Sequence, residues 1–318
     1  MRDSQDGDGW VSCACGQRHW GRYGAAGLLL ADGGGQVVLQ HRAPWSHHGG
    51  TWGIPGGARN AGESAVQAAV REAGEEAGVQ DPVLPHASHE LAHPDWSYTT
   101  VLAHVPGGMQ VRATDAESVQ VRWYPLDRVT ALPLLGAFAE AWPLLQRMLR
   151  TRAVLVVDAA NVVGSRPDGW WKDRAGATTR LASRLAALAA HGVAADALGL
   201  PGHTWWPAMV LVTEGAARAA DDVAPVHTVR APGEGDEEIV RTVRRALGGE
   251  FSTARAGSGP AGGQDDAGDG SDSGHAAGLD VHVSVVTADR ALRERVSGAG
   301  AEVLGPGRLW RLLDALET

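Results

Sequence analysis

The chain has little cysteine, little basic charge, few phenylalanines or tyrosines and no long apolar run, and each shortage excludes something. Two cysteines in 318 residues, Cys13 and Cys15, stand too close together for a useful structural disulfide. A disulfide scaffold is therefore excluded, and a reducing, cytoplasmic setting is expected. The net charge is −9, so no global positive field exists to grip nucleic acid. Any such contact must use a local patch or metal-bridged phosphates. No stretch approaches the roughly 18–20 continuous apolar residues of a membrane span, and MRDSQDGDGW at the start lacks the basic and apolar regions of a signal peptide. Phe and Tyr number 2 and 3, but there are 12 Trp. What remains is a hydrophobic content of 44%, ordinary for a globular protein, in a length that suits two domains.

The first 22 residues read as a polar segment. Residues 23–150 read as a mixed α+β domain. Its extended runs are Gly27–Leu30, Gln36–His41, Val83–Ala92, Ser97–Val105 and Val119–Tyr124, and an apolar helix lies near Leu134–Leu149. Residues 151–318 change rhythm. AVLVVD (Ala153–Asp158), MVLVTE (Met209–Glu214) and VHVSVVTAD (Val281–Asp289) are valine-rich runs suited to strands buried on both faces. Helical patterns at Thr178–Ala190, Glu237–Leu247, Ala291–Ser297 and Leu309–Leu316 alternate with them. That alternation predicts a doubly wound α/β domain with a parallel sheet. Residues 252–278, made of Gly, Ala, Ser and Asp, bury too little to order themselves and read as a disordered insertion.

A glycine-rich turn from Gly49 to Gly57 leads into a helix that carries acidic chemistry. Ser64 with Gln67 has the form of a capping box, and Gly78 suits the C-terminal cap. Val66, Val70, Ala73 and Ala77 are expected to form its buried stripe, with Glu72, Glu75 and Glu76 on another sector. Like charges so spaced repel by a few tenths of a kcal/mol each, and a hard cation such as Mg²⁺ or Mn²⁺ relieves them. Alone, such a run is an ordinary solvated face; its surroundings distinguish it. Gly57, five residues, Glu63, seven residues, Arg71-Glu72, Glu75-Glu76, Gly78 and Val79 together resemble the complete Nudix box.

The resemblance extends over residues 23–149 and implies a Nudix fold and a metal-dependent pyrophosphohydrolase of a nucleoside-diphosphate-linked substrate. It implies Glu72, Glu75 and Glu76 as metal ligands and Arg71 as the residue orienting a carboxylate. Gly57 would contribute a backbone carbonyl, and Glu63 a supporting or metal role. Glu75 and Glu76, with Arg71, are the expected catalytic set. The general base is left open between a box glutamate and Glu117. Trp52, His48 and Trp96, with Trp45, His47 and Tyr98 beside them, are expected to line a base-stacking or phosphate-contacting surface. Nucleoside triphosphates, including damaged ones, and nucleotide sugars stay open as substrates.

In the second half, three strand runs end in an acid: Asp158, Glu214 and Asp289. Asp236-Glu237 starts a helix after Gly233-Glu234-Gly235. Ligands of open α/β sheets sit beyond the carboxyl ends of strands, and carboxylates converging there repel unless a cation joins them. VVDAANVVGSRP, GDEEIV and VVTADRALRERV resemble the motifs of NYN/PIN-like metal-dependent nucleases. The resemblance implies a PIN-like domain with Asp158, Asp236 and Asp289 as metal-binding acids. Asn161, Glu214 and Glu237 would support them, Asp173 more weakly, and RNA is the implied partner. Arg290, Arg293 and Arg295 would meet its phosphates. Two other readings stay open: a Nudix half that senses nucleotides to control a nuclease half, and a C-terminal module that binds RNA without cutting it.

Cys13, Cys15 and His19 put three soft or borderline ligands within seven residues. Zinc would want a fourth, from His41 or His47. The simpler expectation is a plain turn with two reduced thiols.

Overall fold

Residues 6–46, 48–80, 83–105, 108–251 and 279–317 are described by a computed structural model. They form two compact units: one from residues 1–149 with Ala194–Trp205, the other from Arg150–Val193 with residues 206–318. The units are thus not two consecutive stretches, because a short segment of the second half returns to the first. The 252–278 stretch read as an insertion, and His47, lie outside the described residues.

The first unit begins with a two-stranded ribbon, β1 (Trp10–Ser12) and β2 (Arg18–Trp20), inside the segment read only as polar. A mixed sheet follows, as expected, built on β3 (Ala25–Ala31), every residue of which is buried. Burial on both faces explains why AAGLLLA is continuously apolar rather than alternating. The other strands are β4 (Gln36–Arg42), β5 (Trp52–Gly53), β6 (Gly56–Ala58), β7 (Leu84–His93), β8 (Trp96–His104) and β9 (Ser118–Pro125). β8 pairs parallel with β3, while β4 and β6 pair antiparallel with it; β7 joins β8, and β9 joins β4. Helix α1 (Ala65–Ala77) packs on this sheet, and α2 (Gly136–Arg150) closes the stretch. Of β11 (Val193–Ala194) and β12 (Thr204–Trp205), the latter pairs with β7.

The buried stripe of α1 is rotated from the sequence expectation. Ala68, Ala69, Ala73 and Ala77 face Ala26, Leu28, Leu30 and Val101, while Val66 and Val70 are only partly buried. Alanines let the helix sit close to the sheet, and the rotation carries Glu76 inward. Glycine is required just there: a Cβ on Gly56 would lie 2.5 Å from the Cα of Gly27.

The second unit is an all-parallel five-stranded sheet. Its strands are β10 (Thr151–Asp158), β13 (Ala208–Thr213), β14 (His227–Arg230), β15 (Asp280–Val286) and β16 (Glu302–Leu304), in the order β14-β13-β10-β15-β16. Helices α3 (Ala159–Gly164), α4 (Arg174–His191), α5 (Gly235–Leu247), α6 (Arg290–Gly298) and α7 (Pro306–Asp314) accompany it. Valines of β10, β13 and β15 pack against Ile239 and Val243 of α5 and Leu292 and Val296 of α6. The chain leaves β10 toward β13 and returns to β15 on the other side, so the switch point lies between β10 and β15. Among the described residues no helix is long and apolar enough to cross a membrane.

Candidate functional site

The acidic helix is punctuated as its sequence requires. Ser64 accepts from the Gln67 amide while the Gln67 side chain accepts from the Ser64 amide, and Gly78 closes the helix at φ +67°. Arg71 organises what lies between. Its Nε donates to Glu63 Oε1 at 2.8 Å and its Nη1 to Glu72 Oε1 at 2.7 Å. Nη2 reaches the Ala58 carbonyl at 2.9 Å and Glu63 Oε2 at 3.0 Å, and Glu75 Oε2 stands 3.4 Å from Nη1. One planar fork therefore ties α1 to β6 and orients three carboxylates.

Glu76 is 8% exposed, and its Oε2 accepts from the Gly56 amide at 2.8 Å. Burial pushes its carboxyl up to about 7; the Gly56 amide and the Gln40 side chain oppose the rise, and the Glu72 and Asp115 carboxylates add to it. Burial also raises Glu72 against the pull of Arg71, with Glu75 and Asp8 contributing to the rise. Glu63 is lowered, chiefly by its hydrogen bonds to Arg71. Arg71 is raised further by its bonds to Glu63 and Glu72.

The donor set suits a hard divalent cation. Two enclosed carboxylates hold protons more tightly than free ones, chiefly because burial disfavours their charged forms, a cost that a bound cation would offset. A Cβ on Gly57 would stand 2.6 Å from the Glu72 carboxylate, so the loop leaves space that only glycine keeps open. Gln40, fully buried, has an Oε1 without a hydrogen-bond partner. Glu75, with its side chain 63% exposed, sits at the open edge. Of the supporting and metal roles open to Glu63, its contacts favour the supporting one: Arg71 occupies both of its oxygens, and Oε2 also takes the Asn60 amide at 2.9 Å, so it braces Arg71.

The aromatic expectations change. Trp52 is 5% exposed, stacked on His41 at 4.7 Å with the Arg122 guanidinium 5.3 Å from its ring; it is packing, not a free face. Trp96, the first residue of β8, lies on His19 at 4.5 Å and donates to the Trp20 carbonyl, so it packs against the β1–β2 ribbon. His48 is exposed at φ +56°, and Trp45 in the same loop is 76% exposed. The Tyr98 hydroxyl lies against Gly27 and Gly56, where a Cβ would meet it at 2.1 and 3.0 Å. Glu117 is exposed, and its carbonyl holds the Ala43 amide. Gln40, Asp115 and Asp8 were not singled out by sequence. Gln40 sits within the Gln36–His41 run as one of its polar positions, and nothing local tells it from a strand's solvent face.

In the second unit, Asp158 is 8% exposed at the end of β10. Its Oδ1 caps α3 through the Asn161 amide and its Oδ2 accepts from Thr287, both at 3.0 Å. Asn161 Oδ1 accepts from the Ala288 amide at 2.8 Å, stitching α3 to the turn after β15. β15 ends at Val286, so Asp289 is not its last residue but the N-cap of α6, bonded to the Leu292 amide at 2.7 Å. Glu214 Oε2 holds the Gly235 amide at 2.7 Å. Asp158 and Asp236 are raised by burial first and by neighbouring acids next: Asp236 and Glu214 act on Asp158, Asp289 and Glu214 on Asp236. Glu237 pairs with Arg295 at 2.7 Å. Asp173 caps α4, and Arg290 is 94% exposed beside Glu294. The acids at the switch point thus feel one another, while Asp158, Glu214 and Asp289 also serve the fold.

A NUDIX domain model matches residues 21–148. Over 148 residues the chain is 47% identical to a nucleoside triphosphate pyrophosphatase/Nudix hydrolase fusion protein of Bifidobacterium longum, covering 44% of this chain and 31% of that one. Over 148 residues it is also 47% identical to a Mycobacterium tuberculosis protein provisionally named 8-oxo-dGTP diphosphatase 3, covering 43% of this chain and 68% of that one. A crystal structure of a Nudix hydrolase from M. smegmatis is 44% identical, covering 45% of this chain and 94% of that one, with a TM-score of 0.41. Through its N-terminal unit, the chain belongs to the Nudix family.

Proposed function

We propose that the N-terminal unit hydrolyses a phosphoric anhydride bond of a nucleotide with Mg²⁺ or Mn²⁺. The observation that carries the reading is the pair of enclosed carboxylates set against Gly56–Gly57: Glu72, oriented by Arg71, and Glu76, held by the Gly56 amide. A bound cation would lower the pKa of its water and neutralise charge on the bridging phosphate oxygens. Glu72 and Glu76 would hold it, and Glu75, at the open edge, would be placed to accept a proton from water. Arg71 fixes the carboxylates so that they need not reorganise during the reaction. The glycines keep side chains out of the space where phosphates approach.

The substrate class we favour is the nucleoside triphosphates, oxidised purine forms included, in line with the name carried by the M. tuberculosis relative. Trp45 supplies an exposed face for base stacking. The test is release of phosphate or pyrophosphate from a nucleotide panel, with nucleotide sugars included, in Mg²⁺ or Mn²⁺. Turnover of nucleoside triphosphates that stops on metal removal supports the reading, and no turnover of any member overturns it. A reducing, cytoplasmic setting is part of the same reading.

For the C-terminal unit we propose a PIN-like, metal-dependent phosphodiesterase acting on RNA. Its support is the coupling of Asp158, Asp236 and Glu214 beside the β10–β15 switch point, with Asp289 next to them. Metal-dependent RNA cleavage lost in Asp158→Asn and Asp289→Asn is the expected result. Binding of RNA with no cleavage would reduce the unit to a binding module.

A further inference from the structure

Apart from the carboxylates, Cys13, Cys15 and His19 each place one donor atom within 4.8 Å of the others. Cys15 Sγ stands 3.3 Å from His19 Nε2, and both thiols are free. Tetrahedral zinc with two thiolates and an imidazole has donor–donor edges of about 3.5–3.8 Å, so the three donors need only small adjustments. A tight turn brings them together: the Cys13 amide donates to the Gln17 carbonyl at 3.0 Å, the Gly16 amide to the Cys13 carbonyl at 2.9 Å, and Gly16 sits at φ +86°.

Of the two histidines that could supply a fourth ligand, His41 is stacked on Trp52, and His47 lies outside the described residues. His93, at the tip of the β7–β8 hairpin, has its ring 4.3 Å from that of His19 but stands outside the donors that lie within 4.8 Å of one another, so its imidazole must turn to reach an ion held there. The same tip sends Asp95 Oδ2 to the Ala14 amide at 2.7 Å, between the two cysteines. The ribbon concerned has three residues per strand and, among the described residues, pairs with no other strand, too little to stand alone.

We infer that Cys13, Cys15 and His19 form a structural zinc site, separate from the glutamate site, with His93 as fourth donor. The ion pins the β1–β2 ribbon to the β7–β8 tip, and the thiolates select zinc over the hard cation bound by carboxylates. The experiment uses the full chain. Zinc content is measured after purification, and Co²⁺ is exchanged in as a spectroscopic probe. One zinc per chain is expected, with thiolate-to-cobalt charge-transfer bands and the intense ligand-field bands of a tetrahedral site. Cys15→Ser and His19→Gln should bind zinc at least ten-fold more weakly, and Glu76→Gln should bind it unchanged. Circular dichroism and thermal unfolding of Cys15→Ser, an exposed position, establish whether the variant is folded. Absence of zinc, an octahedral cobalt spectrum, a Cys13–Cys15 disulfide by mass spectrometry, or zinc lost with Glu76→Gln but kept with Cys15→Ser would each overturn the site. A cobalt spectrum and affinity unchanged in His93→Gln would remove His93 as the fourth donor.

Discussion

The two units assemble acidic residues in opposite ways. In the first, one helix and the loop before it carry the whole set, and a single arginine contacts Glu63, Glu72 and Glu75. In the second, the acids come from β10, the end of β13, the start of α5 and the start of α6, and no one residue holds them. Asp158 and Asp289 cap helices, and Glu214 fixes the Gly235 amide. A site wired through one side chain separates chemistry from the fold. A site whose acids also cap helices mixes the two, so mutations there change stability and activity together.

The comparison can be broken most strongly at Glu76. Glu76→Gln removes a proposed cation ligand worth several kcal/mol of transition-state stabilisation, so nucleotide turnover should fall on the order of 10³-fold. The fold should be retained, because the amide still accepts from Gly56. Steady-state kinetics with circular dichroism checks both.

Next in size is pH. In the metal-free protein the Glu76 carboxyl sits near 7 against an ordinary 4.5. The fold then binds this proton more tightly than the unfolded chain does. Its contribution is fully present below 4.5 and is lost as pH rises to about 7, on the order of 3 kcal/mol. Hydrogen exchange over residues 65–77 in chelator should accelerate between about pH 5 and pH 8 beyond its intrinsic pH dependence, and Mg²⁺ should slow it at the higher pH.

Arg71→Lys keeps the charge but loses the fork that meets Glu63 and Glu72 together. A drop of about 10–100-fold in turnover or metal affinity is expected, as for other groups that orient ligands. A change under two-fold would mean that the wiring is dispensable.

The smallest effect sharpens the other side. Asp289→Ala removes the cap of α6 and should cost about 1 kcal/mol of stability in the C-terminal unit. Asp289→Ser keeps a capping oxygen and should restore most of it. RNA cleavage absent from both variants would separate a chemical role from the cap, and cleavage restored with stability would leave Asp289 a cap alone.

The sequence was readable wherever the information is local. Ser64, Gln67 and Gly78 mark the limits of α1 because capping needs only neighbours, and the valine runs mark β10, β13 and β15. It misled where packing decides. Valine hydrophobicity pointed to Val66 and Val70 as the buried face, but close approach of helix and sheet favours the alanines and turns Glu76 inward. Trp52 and Trp96 carry no local mark of the histidines that cover them. The β12 pairing with β7 rests on two residues, too short a run for any pattern. His93 is separated from the cysteine turn by most of the first unit, so only the folded hairpins bring it to His19.

The central claim is that the cation held by Glu72 and Glu76 supports nucleotide cleavage. Mn²⁺ binding, followed by electron paramagnetic resonance, and pyrophosphate or phosphate release from nucleoside triphosphates can be measured on the same samples of the full chain and of Glu76→Gln. The account predicts tight Mn²⁺ binding and release in the parent chain, with both reduced together in the variant. Release undiminished in Glu76→Gln would contradict it.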